Sequence, residues 1–226
     1  MKRVITALLA ALLVLSLAAC GSGVETKKLA GTWTCTIDVT DRMNAAAEQA
    51  LGLSAADGAA KMPLQLVLTV TEDGAYTLRY DSDAVRTALD AYAAALRPTA
   101  VESVYAAAEE QGLSREEYDA AMEKAGITMD DMVAAIFAGV DEEELLSLLT
   151  GRSAALTGYC RAEGGQLYLA DTAADLTETA DCLSYTLSDG TMTWTDAQGE
   201  LSSQLTEQEQ ELLRVPLTWT KQEESK

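Results

Sequence analysis

The sequence predicts a mainly β fold with an α insertion: an antiparallel barrel of about eight strands, with helices placed between the third and fourth. Three observations carry this. Eight segments alternate apolar and polar residues with a period of two. Most are joined by tight-turn signals such as Asp73-Gly74, Gly164-Gly165 and Asp189-Gly190. Between Tyr80 and Leu156, residues 83–150 change to helical spacing with no strand. A meander with one apolar side closes most naturally into a barrel, because closure removes its exposed edges. A two-sheet sandwich is the alternative.

The chain opens on a leader, residues 1–19. Lys2 and Arg3 precede the apolar run Val4–Leu17, broken only by Thr6 and Ser16. That run is short for a transmembrane helix and has the layout of a secretory signal. Leu17-Ala18-Ala19-Cys20 then resembles the lipid-attachment box of bacterial lipoproteins, directly after the apolar run and ahead of Gly21-Ser22-Gly23. The resemblance implies that Cys20 receives a diacylglycerol and becomes the mature N-terminus. The protein would then sit on the extracytoplasmic face of the cell membrane, held there by lipid. Ordinary cleavage near Ala18-Ala19, leaving a free thiol on Cys20, is the plainer alternative. Residues 20–28 read as the lipidated cysteine and a flexible tether, whose eight residues Gly21–Lys28 reach at most about 29 Å. Such a tether favours a partner at the cell surface.

Leu29–Thr40 alternates Trp33, Cys35, Ile37 and Val39 with polar residues, which predicts strand 31–40. Asp41 stands where it would cap a short helix running to Leu51, with Gly52 just past its end. Leu64, Leu66, Leu68 and Val70 form strand 64–71, and Tyr76, Leu78 and Tyr80 return along 75–81. Five short helices follow. Val85, Leu89, Tyr92 and Leu96 share the face of the first, which Pro98 should end. The second starts at Thr99–Glu102. Ser114 with Glu117 is a capping box for the third, Thr128 with Asp131 opens the fourth and Asp141 with Glu144 the fifth. Their Ala-rich apolar faces are sparse and need another surface to cover.

The two-residue period resumes in strands 154–162, 166–170, 182–188, 191–196 and 215–221. A short helix from Thr206 bearing Leu212 and Leu213 precedes the last, and residues 222–226 form a frayed tail. The barrel domain thus spans 29–221. Its opening, Leu29-Ala30-Gly31-Thr32-Trp33, and the pattern Asp73-Gly74-x-Tyr76 are similar to lipocalins and to lipocalin-like lipoproteins of Gram-positive bacteria. The resemblance implies a lipocalin-like barrel whose base is closed by Trp33. The insertion 83–150 departs from that pattern.

Composition narrows the function. Acidic residues number 36 against 16 basic, for a formal net charge of −20, and removing Lys2 and Arg3 with the leader makes the balance two charges more negative. Such a surface repels nucleic acid and anionic headgroups, so membrane attachment falls to the lipid. A cationic envelope protein is the kind of protein partner it fits. Histidine is absent, which removes the commonest general base and most zinc and copper sites. No Gly-x-Ser-x-Gly or phosphate loop occurs, so neither catalytic residues nor a cofactor are expected. The acidic clusters Glu116-Glu117, Asp130-Asp131 and Asp141–Glu144 fall at expected helix N-termini, where the helix dipole explains them without a metal.

Cys35, Cys160 and Cys182 remain after Cys20, and Cys160–Cys182 is the expected disulfide if one forms. The inward faces collect Trp33, Tyr76, Tyr80, Tyr185, Trp194 and Trp219. These aromatics are the candidate binding site for a small apolar or aromatic ligand, although packing density alone favours them as the material of a filled core. Two functions follow. One is a non-enzymatic, membrane-anchored binding protein with an aromatic cup. The other is a solid-core interaction module that docks a second envelope protein through its acidic surface or its insertion.

Overall fold

The computed structural model describes residues 24–53, 61–137, 155–178, 180–196 and 213–223. The eight strands form one closed barrel in sequence order. They are β1 (Gly31–Asp38), β2 (Pro63–Val70), β3 (Ala75–Tyr80), β4 (Leu156–Glu163), β5 (Gln166–Ala170), β6 (Asp181–Ser188), β7 (Thr191–Asp196) and β8 (Leu217–Lys221). Neighbours from β2 to β8 pair antiparallel, and β8 returns antiparallel to β1. The expected boundaries stand within two residues of these.

Alternation does the positioning. Trp33, Leu68, Tyr76, Cys160, Leu167, Leu183, Met192 and Trp219 are buried and lie at inward positions of their strands. Two of the turns are tight. Asp189 and Gly190 both have positive φ (47° and 74°), as do Gly164 and Gly165 (59° and 77°). Two consecutive left-handed residues match the right-handed twist of the strands they join.

The chain divides into two compact units. One comprises Met1–Cys35, Leu66–Tyr80 and Ala154–Lys226; the other comprises Thr36–Gln65 and Asp81–Ser153. The second is larger than the expected insertion, because it includes the chain between β1 and β2. Helix α2 (Thr40–Leu51) starts one residue before Asp41, and Gly52 ends it in the left-handed conformation. Asp41 therefore lies in the first turn and Val39 stands at the cap, with no side-chain cap bond. Asn44 Oδ1 accepts a 2.7 Å bond from Tyr92 Oη, and Leu53 packs with Ala100 and Val133. Here is the extra surface that the sparse helical faces need.

Pro98 does not end its helix. Helix α3 (Ser82–Glu110) carries it in the interior, merging the first two expected helices into one of 29 residues. An interior proline forfeits one backbone bond and crowds the preceding turn, at a cost of about 3 kcal/mol. The buried stripe Val85, Ala88, Tyr92, Leu96, Ala100 and Ala108 runs across Pro98 at intervals of three, four and eight residues. Packing on both sides of the proline outweighs its local penalty. Replacing Pro98 with Ala should raise the thermal midpoint of the helical signal in far-UV circular dichroism; an unchanged or lower midpoint would show that the proline is not a burden there.

Helices α4 (Arg115–Ala125) and α5 (Met129–Phe137) have the caps the sequence announces. Ser114 and Glu117 form a full capping box, and Thr128 exchanges hydrogen bonds with Asp131 in the same way. Glu117 is held below the usual carboxylate range chiefly by the Ser114 backbone N–H, and Asp131 chiefly by the Thr128 hydroxyl. A depressed folded-state pKa adds stability above the unfolded value, about 4, which is lost as pH falls through the folded value. A Glu117→Gln, Asp131→Asn variant should therefore be less helical than the parent near neutrality. The difference should close as the solution is acidified below about pH 4, and a gap that persists in acid would contradict the assignment.

The fifth expected helix, at Asp141–Leu149, lies outside the described residues, as do the leader, Cys20 and Thr206–Leu212 of the expected late helix. Part of the expected tether is helical. Residues 24–29 form a helix, α1, with Thr26 and Leu29 buried.

Candidate functional site

The candidate site is the barrel lumen, and the N-terminal segment is hydrogen-bonded to the strands around it. Trp33 Nε1 donates to the Leu29 carbonyl at 2.7 Å, drawing α1 across the strands. Thr26 Oγ1 accepts from the Ala162 amide at 3.0 Å, and the Glu25 carboxylate accepts from the Gly164 amide at 2.8 Å. Lys221 Nζ lies 5.2 Å from the centre of the Trp33 ring. Trp33 is 1% exposed, and its one polar atom is already satisfied.

Within the lumen a cavity of about 30 Å³ remains, walled by Leu68, Tyr76, Leu156, Leu169, Met192, Trp194 and other apolar side chains. Asp181 is its one acidic wall residue. It stands opposite Leu169 in the β5–β6 ladder and two residues before Leu183, on the same inward face. Such a volume suits two or three water molecules, each needing roughly 10–15 Å³. It lies about tenfold below an ordinary small-molecule pocket. The lumen is nearly full. Gly158 contributes to how tightly it fits: a Cβ there would lie 2.6 Å from the Ala170 carbonyl and 3.0 Å from the Tyr76 ring.

The six aromatics named from the sequence divide by role. Tyr76 and Trp194 line the cavity. Trp219, fully buried, packs on Trp194 with ring centres 4.8 Å apart and planes tilted by 47°. Tyr185 pairs with Trp194 across the β6–β7 ladder but is only half buried, and burial, with the Glu25 charge second, raises its phenol pKa. Tyr80 pairs with Leu66 in the β2–β3 ladder, away from the cavity wall. Trp33 ties α1 to β1.

The indole nitrogens of Trp194 and Trp219 are buried, and neither has a hydrogen-bond acceptor among the described residues. The sequence names both tryptophans but not their lack of acceptors, and it does not single out Asp181. Parity with Leu183 and Tyr185 was the signal that could have placed Asp181 on the inward face. Nothing in the local sequence marks an indole as lacking a partner.

The expected Cys160–Cys182 disulfide is absent. Cys160 pairs with Leu169, while Cys182 pairs with the adjacent Tyr168, so the two cysteines occupy opposite faces of the sheet with β5 between them. Burial pushes the Cys160 thiol up to about 12 and raises that of Cys35. Neither is poised to react as a thiolate at neutral pH. Among the described residues no group of three or more Cys, Asp or Glu side chains could hold a metal ion, and no helix is long and apolar enough to cross a membrane.

Fold and site together define a class: a closed eight-stranded antiparallel barrel with a helical insertion after β3 and a nearly filled apolar lumen. No protein-family model matches the chain, and no curated protein or solved structure matches it significantly.

Proposed function

We propose that the chain is a lipid-anchored, non-enzymatic binding protein of the extracytoplasmic face, which takes a small, largely apolar ligand into its barrel. The leader, the lipoprotein-like box at Cys20 and the acidic surface support the location. The observation that carries the binding role is a pair of buried indole donors without acceptors among the described residues, one of them, Trp194, in the wall of an apolar cavity. A core built only to fill space is better made from side chains with no polar atom, and buried tryptophans ordinarily find a partner. Each unmet donor costs about 1–3 kcal/mol. An occupant with an acceptor atom removes that cost.

A second reading rests on a different observation, the cavity of about 30 Å³. In it the barrel is a packed scaffold, and the protein acts by docking a cationic envelope protein. Native mass spectrometry of protein purified without detergent separates the two, with an apolar dye titrated against tryptophan fluorescence. A co-purified small molecule, or saturable quenching at one site, supports the lumen as the binding site. A clean unliganded mass with no dye uptake overturns it in favour of the scaffold.

A further inference from the structure

We propose that the lumen ligand is a small neutral amphiphile whose polar end carries an oxygen acceptor, a hydroxyl or carbonyl, that receives the indole N–H of Trp194. The inference rests on the lumen reading above and names the chemistry that fills it. Three tryptophans share this barrel. The fold satisfies Trp33 with the Leu29 carbonyl at 2.7 Å. Trp194, 4% exposed and part of the cavity wall, has no acceptor among the described residues, and neither does its stacked neighbour Trp219. A donor left in an apolar wall discriminates strongly, because a ligand without an acceptor leaves it unmet while one with an acceptor pairs it.

Charge narrows the class further. The chain carries a formal net charge of −20, so a carboxylate or phosphate ligand would enter against it, and the acceptor is neutral. Size narrows it again. About 30 Å³ admits a polar end and little chain before Leu, Met and Val side chains of the wall must turn aside. The class is therefore alcohols, amides and esters of short or slender hydrocarbons, and not full-length acyl lipids.

Three tryptophans make the test direct, because protein labelled with ¹⁵N-tryptophan gives three indole N–H signals, with Trp33 as an internal control. The probes are butanol, hexanol and octanol, each compared with the carboxylate and the alkane of equal length. The expected result is a saturable downfield shift of the Trp194 indole proton on adding an alcohol, with Trp33 unmoved. Alkanes should bind about five- to tenfold more weakly, the worth of one net hydrogen bond, and carboxylates more weakly still. Trp194→Phe should abolish the preference of alcohol over alkane, and the shift in the parent protein stands whether or not that variant folds.

If alcohols and alkanes bind equally and no indole proton moves, the neutral-acceptor ligand is wrong while the lumen remains a binding site. If none of the probes binds, the lumen reading itself fails. A long-lived water on the Trp194 N–H that alcohols do not displace would also overturn the proposal, by showing that the donor is met by solvent.

Discussion

On the proposed lipid anchoring, replacing Cys20 with alanine is expected to abolish incorporation of a labelled fatty acid and to move the processed protein from the membrane to the soluble fraction. The magnitude follows from chain burial. Each buried methylene contributes about 0.8 kcal/mol, and two or more acyl chains hold a protein stably where one is marginal. Among the described residues no helix is long and apolar enough to cross a membrane, and a formal net charge of −20 does not draw a chain to anionic headgroups. The measurement is cell fractionation with intact mass of the N-terminus, since a retained leader would itself hold the variant in the membrane and would be seen as extra mass. Acyl label persisting on Cys20→Ala would place the lipid elsewhere or remove it from the account.

The second large effect is expected at Trp33. This residue is 1% exposed and ties α1 to β1 through its indole N–H. Truncating a buried tryptophan to alanine removes most of its transfer free energy and leaves a cavity, together about 3–5 kcal/mol. Domains of this kind have only about 5–15 kcal/mol in total, so Trp33→Ala should lower the denaturant midpoint steeply. Trp33→Phe keeps most of the volume but leaves the Leu29 carbonyl without its donor, and should cost about 1–3 kcal/mol. Chemical denaturation of the pair, followed by tyrosine and far-UV signals, separates packing from hydrogen bonding. Equal losses for the two variants would mean that the bond, and not the ring volume, makes the contribution.

Trp33 also illustrates what kind of role a sequence can convey. Its place at the head of an alternating strand put it on the inward face, and it is buried there, with its indole N–H on the Leu29 carbonyl. Pro98 illustrates the opposite case. Proline propensity is a local energy of about 3 kcal/mol, and it was outweighed by a buried stripe whose partners lie far away in the chain. The cysteine pairing failed for a related reason: spacing along the chain says nothing about face, whereas strand register places Cys160 and Cys182 on opposite sides.

The sequence by itself determined the eight strands, their inward faces, the turns between them and the helical character of the insertion. These are written in short-range patterns: a period of two, a period near 3.6, paired left-handed turn residues and capping boxes. Tertiary structure alone decided how full the lumen is, which aromatics reach its cavity, that Asp181 joins them, and that two indoles lack acceptors among the described residues. The reason is physical. A strand's pattern specifies which way each side chain points, but the space left over is the difference between one shared volume and the side chains that eight strands send into it. No single segment carries that difference.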